Sequence, residues 1–157
     1  GVGGHCIAVD PWFIINSAPD EAKLIHAARL VNDNKPNHVV KKVNHAVSII
    51  NKNQSEIKIA CLGLAFKPDI DDLRESPALN IAHRISLMGF EKISLVEPNI
   101  NEIPNIFTKE KAELVELEAA LNSADIVLIL VKHKAFRIIS LDMLKDKQVI
   151  DTCGALS

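Results

Sequence analysis

A cysteine near the start of the sequence lies among residues that could make it a nucleophile. Cys6 follows Gly3 and Gly4, and Asp10 comes four residues after it. Glycine lets the backbone approach a ligand closely, and the thiolate is the reactive form of cysteine. The pattern indicates either a reactive Cys6 with a carboxylate nearby or a structural cysteine beside a glycine turn, since free cysteine is often buried. Because Pro11 disfavours helical backbone in the residue before it, we expect Asp10-Pro11 to close the loop.

A second polar segment, residues 63–77, separates a predicted strand from a predicted helix. In doubly wound folds, ligands bind where the strands end, which is where this segment lies. Lys67 and Arg74 could contact a phosphate or carboxylate, and arginine is suited to bidentate contact. Three aspartates could hold these cations in position: Asp69, Asp71 and Asp72. The alternative is a solvated charged loop, because most polar connections lie on the surface without a ligand.

Two helices are predicted before the sheet, over residues 20–34 and 37–53. The first has apolar residues on one face, and the second has a stripe at spacings of three and four. Asn37 is the expected cap of the second helix. The apolar positions are Leu24, Ala27, Ala28 and Val31 in the first helix, and Val39, Val40, Val43, Ala46, Val47 and Ile50 in the second. Such amphipathic helices need a partner surface.

From residue 57 onward, strands alternate with helices. The strands are predicted at residues 57–63, 93–97, 126–131 and 148–151, with a further short strand or turn near residues 106–107. Helices are predicted at residues 76–88 and 114–123, followed by short helical pieces at 135–136 and 140–145. Ser76 and Pro77 provide the cap and first residue of one helix, and Gly89 ends it. The alternation predicts an α/β fold with a doubly wound, Rossmann-like parallel sheet.

Other reactive residue types give weaker signals. Glu97 ends a strand where a Rossmann unit places an acidic residue on a ribose, but without the glycine fingerprint that signal is weak. His5 beside Cys6 is not a zinc-binding pattern, so we expect no metal. The remaining histidines are scattered and are expected at surface or packing positions, and Cys61 is expected in the core.

The composition is that of an ordinary globular domain. The 157 residues are 48% hydrophobic and 24% charged, with a formal net charge of −2, and they suffice for one domain with a sizeable core. This balance gives no indication of nucleic-acid or membrane-surface binding, and no apolar run approaches the roughly 18 residues of a membrane span. Three widely separated cysteines favour reduced thiols and a cytoplasmic location.

Residues 1–13 resemble the active-site cysteine segment of the UDP-sugar 6-dehydrogenase family, roughly Gly-x-Gly-Gly-[Ser/His]-Cys-x-x-x-Asp. The His-Cys form followed by Asp-Pro-Trp is similar to the branch that acts on N-acetylated UDP-hexosamines. Residues 63–77 resemble a second family motif, Gly-Leu-x-Phe-Lys-x-x-Thr-Asp-Asp-x-Arg-x-Ser-Pro, with Ile70 where threonine is common. Residues 151–154 are similar to the family's final motif, but Cys153 stands where a basic residue is usual, which leaves that substrate contact in doubt.

The resemblance implies roles for six residues. Cys6 is the covalent nucleophile and Asp10 orients or deprotonates water or a neighbouring base, so both are expected to be catalytic. Gly3, Phe66 and Lys67 are expected to contact the UDP-sugar, and Arg74 is expected to reach NAD.

The resemblance also implies an organisation. Residues 1–54 form the catalytic loop and connecting helices that make a homodimer, and residues 55–157 form the UDP-sugar-binding domain. An N-terminal NAD-binding domain is absent from this sequence, so this part alone is expected to be inactive.

The expected reaction is NAD-dependent oxidation of a sugar C6 alcohol to a carboxylate through a thiohemiacetal and a thioester on Cys6, in polysaccharide biosynthesis. The expected substrate is UDP-N-acetylmannosamine. UDP-N-acetylglucosamine and UDP-glucose are the alternatives within the family. A non-catalytic α/β nucleotide-binding or dimerisation module, with an unreactive Cys6, is the alternative outside it.

Overall fold

A five-stranded parallel sheet forms the centre of the computed structural model, which describes residues 1–156. The strands are β1 Ile59–Leu62, β2 Ile93–Val96, β3 Ala112–Leu114, β4 Ile126–Ile129 and β5 Gln148–Asp151. Their order across the sheet is β3-β2-β1-β4-β5, and every pair is parallel. The predicted doubly wound α/β fold is therefore confirmed.

The central strands are buried along their whole length, as their apolar composition predicts. Cys61 pairs with Leu128 in the middle of the sheet and is fully buried. Of the short strand or turn expected near residues 106–107, the structure has the turn, and the strand β3, which was not predicted, lies later in the chain. Phe107 sits in a turn closed by its N–H donating to the Pro104 carbonyl at 3.0 Å, and its ring packs into the core.

Residues 1–156 form five α-helices: α1 Asp10–Ser17, α2 Lys23–Asp33, α3 Lys35–Ile49, α4 Pro77–Ser86 and α5 Leu117–Ser123. Helix α1 was not expected, because Asp10-Pro11 was interpreted as the end of a loop. Proline at a helix start is also favourable, since its fixed φ suits the first turn. Asn37 lies inside α3 and does not cap it, because α3 begins directly after Asn34.

Helices α3 and α4 pack together against one side of the sheet, next to the candidate site. The predicted stripe of α3 is confirmed, with Val39, Val43 and Ala46 buried. Ser76 caps α4 as predicted: its Oγ accepts from the Leu79 N–H at 3.2 Å and donates to the Leu64 carbonyl at 2.6 Å. This second bond ties the start of α4 to the segment that leaves β1.

Helix α2 packs in an unexpected way. Its predicted apolar face is uncovered, with Leu24 82% and Val31 61% exposed, while the residue that it buries is Arg29. The polar side of α2 therefore faces the protein and the apolar side faces outward. No helix within residues 1–156 has both the length and the apolar character needed to cross a membrane.

Candidate functional site

Cys6 is exposed in a turn that leads directly into α1. Its carbonyl accepts hydrogen bonds from the N–H groups of Val9 at 2.9 Å and Asp10 at 2.8 Å. Asp10 is exposed in the first turn of α1. These bonds therefore place it one helical turn after Cys6. The two residues expected to be catalytic therefore share one short segment of chain.

The glycines of this loop allow it to pack against the segment after β1. A Cβ on Gly3 would lie 2.1 Å from the Glu75 carbonyl oxygen and 2.7 Å from Pro77 Cδ. Gly4 has a φ of +96°, and a Cβ there would lie 2.9 Å from the Phe66 ring. The absence of side chains thus serves close packing between the loops. A contact from Gly3 to the substrate, which stays a prediction, would have to come from its backbone.

Residues 1–9, which we call the cysteine loop, contact residues 63–76 directly. The Gly4 N–H donates to the Arg74 carbonyl at 3.3 Å, and the Phe66 ring lies against Gly4. Lys67 Nζ lies 5.4 Å from the centroid of that ring, within the range of a cation–π contact. The chain at Gly4, two residues before Cys6, therefore packs against the loop that carries Phe66 and Lys67 past the carboxyl end of β1.

Arg74 is held beside the cysteine loop by an ion pair with Asp72. The Arg74 Nη2–Asp72 Oδ2 distance is 2.6 Å, and the Arg74 side chain is 65% exposed. Hydrogen bonds from Arg74 lower the pKa of Asp72 to about 2. The pKa of Arg74 is raised by Asp72, with a smaller electrostatic contribution from Cys6. The guanidinium is thus held in one orientation by Asp72 while remaining open to a ligand.

A buried network beneath the loop was missed by the sequence analysis. One oxygen of Glu97 accepts hydrogen bonds from Leu64 N–H at 2.7 Å, Ala65 N–H at 3.1 Å and His133 Nε2 at 3.0 Å. His133 Nδ1 in turn accepts from the Asp69 N–H at 2.9 Å, which fixes the tautomer with the proton on Nε2. Glu97 therefore faces the interior and supports the loop, rather than a ribose.

The ionised form of Glu97 is favoured in this network. Burial alone would raise its pKa, but the hydrogen bond from His133 and those from Leu64 and Ala65 outweigh it and leave the pKa lowered. Glu97 follows β2 and His133 follows β4, and the two meet because both strands lie beside β1 in the sheet. No local sequence signal links Glu97 with His133, which lie 36 positions apart.

A cavity of about 550 Å³ opens at the carboxyl ends of β1, β4 and β5. Phe66 and Lys67 line it from the loop after β1, and α3 closes it from the other side. Its basic side chains are Lys35, His38, Lys42, Lys67 and Lys132. Four of these five were not singled out from the sequence, because they come from segments that are distant along the chain. The cluster of cations suits a polyanionic group such as a diphosphate.

Asp151 and Cys153 lie on the β5 side of the same cavity. Burial alone would raise the pKa of Asp151, but the backbone N–H groups of Leu156 and Cys153 outweigh it and leave the pKa lowered. Burial and the Asp151 carboxylate raise the pKa of Cys153 to about 11, so this thiol is neutral near pH 7. The positive charge at this end of the cavity comes from Lys132, whose Nζ donates to the Gly154 carbonyl at 2.5 Å.

Comparison with known proteins identifies the relatives of this chain. It is 56% identical to UDP-N-acetyl-D-mannosamine dehydrogenase of Campylobacter jejuni over 87% of its own length and 33% of the relative's. It is 48% identical to an NDP-N-acetyl-D-galactosaminuronic acid dehydrogenase of Ralstonia nicotianae over 100% of its length and 36% of the relative's. The solved UDP-N-acetyl-mannosamine dehydrogenase of Staphylococcus aureus superimposes with a TM-score of 0.76 and 32% identity, over 99% of this chain and 35% of that one.

The chain spans about a third of the length of the curated relatives it matches. Residues 60–157 match the family model for the UDP-binding domain of the UDP-glucose/GDP-mannose dehydrogenases. This match includes four whole strands, β1 from its second residue onward and the segment with Phe66, Lys67 and Arg74. The parallel sheet and the cationic cavity beside an exposed cysteine are consistent with it, and the chain belongs to the UDP-glucose/GDP-mannose dehydrogenase family.

Proposed function

We propose that this chain is the C-terminal part of a UDP-N-acetyl-D-mannosamine 6-dehydrogenase, which oxidises the C6 alcohol of its sugar to a carboxylate. Residues 1–54 supply the cysteine loop and connecting helices, and residues 55–157 bind the UDP-sugar. The observation that carries the proposal is the packing of Gly4 against Phe66 and Arg74. It sets the cysteine loop against the segment that borders the cationic cavity, so one extended ligand can span both.

The nucleotide end of the substrate would occupy the cavity. A volume of about 550 Å³ lies within the usual range for small-molecule sites, roughly 300–1,000 Å³. Lys42 of α3 and Lys132 after β4 would neutralise the diphosphate. Lys67 would lie between the cavity and the cysteine loop, where it can contact the sugar.

The chemistry would take place on the sulfur of Cys6. The thiolate would add to the C6 aldehyde, forming the C–S bond of a thiohemiacetal; loss of hydride from that carbon gives a thioester. Water, oriented or deprotonated by Asp10, would then attack the acyl carbon, and the C–S bond breaks to release the carboxylate and the thiolate. Overall, the alcohol and one water become a carboxylate, two hydrides and three protons.

Bound NAD⁺ would accept the two hydrides. The residues of this chain could hold only part of that cofactor. Residues 63–76 form a long loop anchored by Glu97, not the short glycine-rich turn that receives a dinucleotide pyrophosphate. The exposed guanidinium of Arg74 would contact a phosphate of a cofactor held mainly by another domain.

We also propose that the protein is a cytoplasmic homodimer. Large apolar side chains are exposed on α1, α2 and the loop before them: Ile7, Phe13, Ile14, Leu24, Leu30 and Val31. Exposed apolar side chains on two helices that pack together favour a protein partner, and a second copy would bury them symmetrically. The free thiols of Cys6, Cys61 and Cys153 suit a reducing compartment.

The test is an assay of the complete enzyme with UDP-N-acetylmannosamine, UDP-N-acetylglucosamine and UDP-glucose. We expect NADH formation to be fastest with the first and uronate to be the product. Cys6→Ser should abolish uronate formation, with a loss on the order of a thousand-fold or more, whereas the control change Ser55→Ala, at an exposed position outside the cavity lining, should leave it within about three-fold. Normal uronate formation by Cys6→Ser would reject the covalent role.

A second substrate is favoured by one observation. The Ralstonia relative covers the whole chain at 48% identity, close to the identity of most of the mannosamine enzymes. Its substrate class, a nucleotide-linked N-acetylgalactosamine derivative, should therefore be included in the assay. A higher kcat/KM with UDP-N-acetylgalactosamine would favour this alternative.

A further inference from the structure

The inward face of α2 is polar and lies against the cysteine loop. Arg29 is only 8% exposed, and it forms a cluster with Asn32 and Asp33, three and four residues later along the helix. Arg29 Nη2 lies 2.5 Å from Asp33 Oδ1, and Asn32 Nδ2 donates to the same oxygen at 3.2 Å. We call these three residues the α2 clamp.

Asn32 pairs with both polar atoms of the Val2 backbone. The Val2 N–H donates to Asn32 Oδ1 at 2.7 Å, and Asn32 Nδ2 donates to the Val2 carbonyl at 3.1 Å. A side-chain amide has a donor and an acceptor at the spacing that a peptide unit offers. The contact therefore fixes the direction of the chain at Val2 as well as its distance from α2.

Arg29 holds the loop on the other side of the cysteine. Its Nη1 donates to the Ile7 carbonyl at 3.4 Å, while Asp33 neutralises its charge. Its Nε is buried without a hydrogen-bond partner among the described residues. Burying a guanidinium with an unsatisfied donor opposes folding, so stability alone does not account for this residue.

The two contacts bracket Cys6, since Val2 precedes it and Ile7 follows it. The opposite side of the same loop is held by the Arg74 carbonyl and the Phe66 ring at Gly4. We propose that Arg29 and Asn32 are positioning residues that set the height and direction of the Cys6 sulfur over the sugar-binding surface. This inference rests on the proposed function. It assigns to α2 a role in the covalent step, distinct from substrate or cofactor binding.

The experiment uses the complete enzyme with Asn32→Ala and Arg29→Lys. Asn32→Ala removes both contacts to Val2. We expect kcat for uronate formation to fall about ten- to a hundred-fold, because a displacement of the reacting sulfur by about 1 Å costs that much. KM for the UDP-sugar should change less than about three-fold. Arg29→Lys keeps the charge beside Asp33 but loses the single hydrogen bond from Nη1 to the Ile7 carbonyl, so its fall in kcat should be smaller. Asn44→Ala, at an exposed asparagine of α3, is the matched control and should retain kcat within about two-fold.

Hydrogen exchange separates this role from a general loss of stability. In Asn32→Ala, peptides from residues 1–9 should exchange faster, while peptides from β1 and β4 should keep the wild-type rate. Wild-type kcat with unchanged loop exchange in both variants would overturn the inference, and so would faster exchange in the sheet as well as the loop. If the wild-type enzyme oxidises no UDP-sugar, the proposed function fails, whereas the exchange data still decide whether the α2 clamp orders the loop.

Discussion

The two loops that meet at Gly4 are held in place by different means. Residues 63–76 are anchored from below by the carboxylate of Glu97 and the ring of His133, both almost fully buried. The cysteine loop is held at its edges, by Asn32 at Val2, by the Arg74 carbonyl at Gly4 and by Arg29 at Ile7. Buried charged hydrogen bonds are strong and costly to break, whereas the bonds between Asn32 and Val2 are exposed to water. We therefore call residues 63–76 the fixed wall, because a buried carboxylate anchors them.

The largest expected effect comes from removing the anchor of the fixed wall. Glu97→Ala would leave the N–H groups of Leu64 and Ala65 and the His133 ring without their acceptor. We expect a loss of about 3–5 kcal/mol in the free energy of unfolding, measured by urea titration. The matched change Glu91→Ala, at an exposed position, should cost less than about 0.5 kcal/mol. Equal stability of the two variants would show that the network does not anchor the loop.

A smaller effect is expected where the two loops pack together. Gly3→Ala places a Cβ 2.1 Å from the Glu75 carbonyl oxygen, and relief of such a clash costs about 1–3 kcal/mol. Gly89→Ala is the control: its φ is +88° but its nearest neighbour is 3.9 Å away, so it should cost about 1–2 kcal/mol. Only Gly3→Ala should also lower kcat, because only it displaces the cysteine loop. A normal kcat in Gly3→Ala would mean that the loop adjusts without moving Cys6.

The carboxylate of Glu97 should also affect how the stability of the protein depends on pH. Folding lowers the pKa of Glu97 from its ordinary value of 4.5, so its contribution is fully present above pH 4.5 and is lost as the pH falls through the lower, folded pKa. We expect the free energy of unfolding to decline below about pH 4.5 more steeply in the wild type than in Glu97→Gln. Urea titrations at pH 3, 4, 5 and 7 measure this difference. Parallel curves for the two proteins would place the acid sensitivity at other carboxylates.

The fixed wall was the more predictable of the two loops. The apolar runs of β1 and β4 and the Ser76–Pro77 helix start are local signals, and they correctly located residues 63–76 at the carboxyl edge of the sheet. Helix α1 was missed because Asp-Pro is compatible with both a loop end and a helix start. The strand β3 was missed because its three residues, Ala112–Leu114, are too few to show a strand pattern.

The remaining features depend on contacts between distant segments. Arg29 and Asn32 have ordinary helical spacing, and nothing local indicates that they face a loop whose contacting residues lie 22 and 30 positions earlier. The histidine of the Glu97 network was expected at a surface or packing position, because its partner lies on another strand. The basic wall of the cavity combines residues of α3 with Lys132, and only the sheet order brings them together.

The smallest expected effect tests the positive charge of the cavity beside the fixed wall. Lys132→Ala removes a cation from the cavity, and loss of one charge-assisted contact to the diphosphate should weaken UDP binding about ten-fold at low salt. The deficit should shrink as ionic strength rises, because salt screens the attraction in the wild type. Calorimetry of the complete enzyme with UDP, at low and high salt, measures both. Lys145→Ala, at an exposed position outside the cavity lining, is the matched control. An equal loss of affinity in both variants would mean that the overall charge of the protein, not the lysine in the cavity, attracts the nucleotide.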